Sequence, residues 1–195
     1  LSIVAFSLSA PIDYEASAKR FFGKLTEKVE SNSHEELFDL LWAKGQSFFP
    51  GIFIEDDEAF IKKAFLEYRE KGDKLDDEEE FRMDPDAEER IKQEVGKRAS
   101  LLNNDAKEFM RELLASVHTP EPRTFAKKFT EFRKRYDDLP YDAKSSLETQ
   151  FPGFGKLEEI QALINVGDRI LGHIVGLCEN LQGFRQCEEI LETIN

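Results

Sequence analysis

An all-α protein, a compact and irregular multi-helix bundle, is the fold class this sequence predicts, and three observations predict it. Apolar residues recur at spacings of three and four through the chain, no stretch alternates cleanly over a strand's length, and several breaks between the periodic runs carry helix-cap chemistry. With 195 residues, 40% of them apolar, the chain can bury one substantial core. Residues 11–195 are therefore expected to form a single helical domain with a C-terminal helical extension.

The elements follow in order. Leu1–Ala10 is apolar and rich in small residues, and it reads as the downstream part of the h-region of a secretory signal peptide. It is too short to span a bilayer. A cut after Ala10 would put Pro11 at the new terminus, and the competing reading is a buried N-terminal segment. The expectation is a secreted, extracellular protein. Helices are expected over 14–30, 34–48, 57–72, 84–102, 104–118, 122–138, 140–150, 156–178 and 184–194. Ser33 before His34-Glu35-Glu36 has the order of a capping box, Pro50-Gly51 ends the second helix, Asp84-Pro85 is a cap followed by an N1 proline, and Asn104 can cap the fifth helix. Five acids crowd Asp76–Glu80, which suits an exposed linker, and the segment lacks the residue order of an EF-hand loop.

The strongest pattern lies in the middle of the chain. Phe109, Leu113, Leu114 and Val117 share a helix face with Ala106, while Lys107, Glu108, Arg111 and Glu112 form its wet side. Phe125, Phe129, Phe132, Tyr136 and Leu139 repeat at intervals of four, three, four and three. Leu163, Val166, Ile170, Leu171, Ile174 and Val175 give a later helix a broad apolar face that suits a central position. Such stripes suit an ordinary bundle core, and they equally suit the lining of an apolar ligand cavity. Periodicity does not separate the two. Composition leans toward the cavity, because seventeen Phe against one Trp and two Met give rigid rings that tile space less adaptably than Leu or Met.

Charge and chemistry narrow the function. A net charge of -13 opposes non-specific binding to nucleic acid and to anionic membranes. His34, His118 and His173 stand apart, and no phosphate loop, nucleophile elbow or zinc signature occurs, so no catalytic residue and no metal site is expected. Arg123, Lys127, Lys128, Arg133, Lys134 and Arg135 cluster on the charged side of one helix. They suit a solvated face; alternatively Arg123, Lys127, Lys128 and Arg135 receive a ligand headgroup or touch an anionic membrane transiently. Cys178 and Cys187 enclose eight residues including Asn180 and Gly183, so in a secreted chain they can close a local disulfide, which loop entropy values at about 3 kcal/mol or less.

The segments Leu101-Leu-Asn-Asn-Asp-Ala-Lys-Glu-Phe109, Tyr136-Asp-Asp-Leu-Pro-Tyr-Asp-Ala-Lys144 and Leu147-Glu-Thr-Gln-Phe-Pro152 resemble, in order and spacing, the nematode fatty acid and retinol binding proteins. The match runs mainly over 101–152 and more loosely from 34. The resemblance implies a small, secreted, helix-rich, non-catalytic carrier that holds fatty acids and retinol in an internal apolar cavity. It implies apolar roles for Phe109, Leu113, Phe129, Phe132, Tyr136, Leu139, Leu147 and Phe151. Pattern and resemblance together nominate as lining residues these and Phe60, Ala64, Leu114, Val117, Phe125, Leu163, Ile170 and Ile174. No cofactor is expected. The alternative is a secreted helical module whose stripes form an ordinary packed core and which binds a protein partner, with the C-terminal extension as a contact surface.

Overall fold

The computed structural model describes residues 11–71, 84–116 and 122–180. The chain forms α1 (Tyr14–Glu30), α2 (His34–Phe48), α3 (Glu55–Lys71), α4 (Pro85–Ser100), α5 (Asn104–Ser116), α6 (Pro122–Asp137), α7 (Tyr141–Gln150), a 3-10 helix (Pro152–Lys156) and α8 (Leu157–Asn180). No strand occurs among the described residues. The architecture is an all-helical, irregular bundle of eight α-helices among those residues. The expected helix at 184–194, the acidic segment 76–80, residues 1–10, Val117 and Cys187 lie outside them, as do the side chains of Arg123, Phe125 and Cys178.

Local chemistry sets most of the element ends. Asp13 Oδ1 accepts from the Ala16 N–H at 2.9 Å and opens α1. Asn32 takes a left-handed conformation at φ 54° after that helix, which turns the chain into α2. The capping box expected at Ser33 does not form: Ser33 Oγ lies 2.9 Å from Ser31 Oγ, and Glu36 reaches across to Lys28 of α1 at 2.5 Å. The ion pair between neighbouring helices takes the carboxylate that the box would have used. Gly51 supplies φ 71° in the turn after α2, as Pro50-Gly51 suggested.

α3 starts two residues before its expected position, with four acids in its first turn and Asp57 Oδ2 accepting from the Ile54 N–H at 2.8 Å. Asp84 Oδ1 accepts from the Asp86 N–H at 2.8 Å, the cap expected before Pro85. α5 is capped by Asn103, not Asn104: Asn103 Oδ1 accepts from the Ala106 N–H at 2.9 Å. The 3-10 helix is absent from the sequence reading, because Pro-Gly-Phe-Gly-Lys carries no period.

α8 packs on α1, on α6 and on the 3-10 helix, which gives it the central place its apolar face suggested. Gly167 makes the approach to α1 close, since a Cβ there would stand 3.0 Å from Phe22 Cζ. α2 packs on α1, on α3 and on the 3-10 helix, and α5 packs on α7. α4 is tied to the α2–α3 turn by two arginines. Arg90 pairs with the buried Asp57 and donates to the Ile52 carbonyl at 3.1 Å, and Arg98 donates to the carbonyls of Pro50 at 3.1 Å and Gly51 at 3.0 Å.

Candidate functional site

Two larger aromatic assemblies stand out among the described residues. The first is built by α5, α6, α7 and the 3-10 helix around Leu102, Ala106, Phe109, Tyr136, Ala143, Leu147 and Leu157, all buried. Phe109 stands 5.0 Å from Phe132 and 6.1 Å from Phe154, and Phe154 stacks on Tyr136 at 5.6 Å. Offset and edge geometries of this kind suit the ring quadrupole. Tyr136 O–H donates to Glu148 Oε1 at 2.7 Å. Burial pushes its phenol well above the usual range, and the hydrogen bond to Glu148 adds to the shift. Tyr136 is therefore a neutral donor at every physiological pH.

The second assembly lies on α2, α3 and the turn between them. Phe38 stacks on Trp42 at 5.7 Å and meets Phe65 at 5.6 Å, and Trp42 meets Phe53 at 5.6 Å. Phe38 is buried, whereas Trp42, Phe53 and Phe65 are half-buried. Lys62 Nζ sits 5.7 Å over the Phe38 ring and pairs with Asp39 at 2.7 Å. The i, i+4 spacing of Phe38 and Trp42 was a readable sign of this cluster. Phe154 had no such sign.

Of the residues nominated for lining, the fold gathers Phe109, Phe129, Phe132, Tyr136, Leu139, Leu147 and Phe151 into the first assembly. Leu147 is fully buried, and Phe129, Phe132, Leu139 and Phe151 are half-buried against it. Phe60 and Ala64 lie apart on α3, with Phe60 exposed. Leu113 and Leu163 are half-buried, while Leu114 is 58% exposed and Ile170 and Ile174 are each 39% exposed.

Among the basic residues nominated for a headgroup, Arg135 pairs with Glu112 of α5. Arg133, on the same helix, pairs with Glu158 of α8 at 3.3 Å and faces Asp137 at 3.6 Å. Lys127 and Lys128 are exposed. The cleft beside Arg133 holds about 280 Å³ between α1, α6 and α8, and most of its lining residues are polar. Its walls include Glu15, Glu158, Gln161, Asn165 and Arg169, with Arg169 donating to Glu15 Oε1 at 3.0 Å.

A further basic group stands where α2 meets α8. Lys44 Nζ pairs with Glu159 and lies 5.6 Å from the Phe21 ring centre and 5.4 Å from that of Phe48. Lys156 Nζ lies 5.9 Å from the same Phe48 ring and donates to the Ser47 carbonyl at 2.7 Å. Neither lysine belongs to the cluster the sequence singled out. Their sequence surroundings carry no basic run, and only the fold brings them together.

Among the described residues no group of three or more His, Cys, Asp or Glu side chains is placed to hold a metal ion, and no helix is long and apolar enough to cross a membrane. Comparison with known proteins gives no match to any family model, to any curated protein or to any solved structure.

Proposed function

We propose that this protein is a non-catalytic carrier of small hydrophobic ligands, long-chain fatty acids and retinol, held against its apolar interior. The observation that supports this reading is the incomplete coverage of rings on the packing faces of the bundle. Phe129, Phe132, Phe151 and Phe154 contact the buried cluster on one side yet keep exposed area, and Trp42, Phe53 and Phe65 do the same in the second assembly. Apolar surface of that kind gains by covering an aliphatic chain, at roughly 0.8 kcal/mol per methylene buried. The resemblance of residues 101–152 to the fatty acid and retinol binding proteins points the same way. On this reading the exposed Lys127 and Lys128 of α6 meet an anionic membrane during transfer of cargo, a contact that salt weakens.

A second reading, a helical module that binds a protein partner, is favoured by one observation. Leu114 of α5 is largely exposed, and so is Tyr141 of α7. Displacement of a fluorescent fatty acid separates the two. The carrier gives saturable binding that oleate and retinol both compete away; a folded protein that binds neither, and instead captures one partner stoichiometrically, belongs to the second class.

A further inference from the structure

We infer that Lys44 and Lys156 form an anchor for the carboxylate of an amphiphilic ligand, with Glu159 as the internal counter-ion that the ligand displaces. The inference rests on the carrier reading and adds to it the place where the headgroup is held.

The chain carries forty acids against twenty-seven lysines and arginines, so a local excess of positive charge is unusual in it. Where α2 meets the 3-10 helix and the start of α8, two ammonium groups lie near one ring, Phe48, and one carboxylate, Glu159, pairs with Lys44. The neighbouring Glu158 is taken by Arg133. Among the described residues Lys156 has no carboxylate partner, so one positive charge is left over.

Donor capacity agrees with the charge count. An ammonium has three N–H donors. Lys44 uses its ammonium on Glu159 and Lys156 on the Ser47 carbonyl, one partner each among the described residues. Each ammonium therefore keeps N–H donors for an incoming carboxylate oxygen. The side chains are well placed to use them: Lys44 is 25% exposed and Glu159 24%, so the pair is screened less than a surface pair yet stays reachable from solvent.

The surroundings select for an amphiphile over a small anion. Phe21 and Phe48, both half-buried, lie beside the ammonium groups, so the first methylenes behind a bound carboxylate meet ring faces. Gly153 fixes the geometry, because the 3-10 helix that ends at Lys156 is pressed against the backbone of Phe48. Lys156 is thereby held next to α2 by backbone contact as well as by its own hydrogen bond. A ligand without a carboxylate, such as retinol, takes no advantage of the anchor.

The test titrates oleate and retinol into the full chain and into two variants, Lys44→Gln/Lys156→Gln and Glu159→Gln. The double variant is expected to bind oleate about tenfold more weakly and retinol unchanged. Glu159→Gln removes the competing carboxylate and is expected to bind oleate several-fold more tightly, a gain that misfolding does not produce. If the double variant loses both ligands, the Glu159→Gln result decides, and no gain there overturns the anchor. Equal oleate affinity in all three proteins overturns the anchor while leaving the carrier intact. A wild-type chain that binds neither oleate nor retinol overturns the carrier reading, and the anchor with it.

Discussion

Gly153 shows how one position without a side chain holds two distant parts of the chain together. A Cβ there would stand 2.5 Å from the Phe48 carbonyl oxygen, a backbone atom that cannot swing aside. Gly153→Ala must therefore push the 3-10 helix off α2, and overpacking of this kind costs about 1–3 kcal/mol, to be read as a lower urea midpoint with an unchanged slope. Tyr136 is the other telling residue. Its phenol is raised by burial and by Glu148, so the stability it contributes is fully present below the ordinary tyrosine value of about 10 and is lost as pH rises beyond it. Tyr136→Phe should flatten the decline of stability above that pH in urea melts, at a cost of about 0.5–1.5 kcal/mol at neutral pH for the lost hydrogen bond. Tyr136 and Phe109 were legible in the sequence because they recur at helical spacing, whereas Leu147 was nominated only by the family resemblance. Gly153 and Phe154 were not, because their partners come from elsewhere in the chain and their own segment has no period.

At the scale of elements, the helix positions were readable to within two residues where the ends are set by local chemistry. Asp84 caps α4 as expected because its acceptor and the Asp86 N–H are two residues apart. The box at Ser33 fails because the Ser33 hydroxyl turns to Ser31 and Glu36 answers to Lys28 on another helix, a competition no local pattern displays. The same limit hid the role of α4, whose Arg98 holds the α2–α3 turn by its carbonyls and is itself oriented by Glu94 at 2.7 Å. The hydrogen bond from Arg98 holds the Glu94 carboxyl below its usual range, against the opposing effect of burial. A carboxylate depressed in the folded state adds stability above its unfolded value of about 4.3, and that stability disappears as pH falls through the folded one. Glu94→Gln should accordingly reduce the loss of thermal stability as pH falls below about 4.3, measured by melting both proteins from about pH 5 downward. An unaltered acid limb would show that Arg98 keeps its grip on Pro50 and Gly51 without Glu94.

For the whole molecule, the helical class was legible because burial of one face dictates a period, whereas the use of the interior was not. A ring that lines a cavity and a ring that fills a core sit at the same spacing, so the Phe stripe of α6 predicts either one. The fold sorts these rings by coverage: Phe109 and Tyr136 are sealed, and Phe129 and Phe132 keep open area beside them. If that open area receives cargo, ligand binding must stabilise the folded chain, since the unfolded chain offers no ordered apolar surface. Free ligand at a hundredfold excess over its Kd raises unfolding free energy by about 2.7 kcal/mol. For a chain of 195 residues this corresponds to a rise of about 5–10 °C in Tm. The expected outcome is such a rise with oleate held below its micelle threshold, and a comparable one with retinol. A protein-binding module with a filled core would melt at the same temperature with and without either lipid, and would shift only when its partner was added.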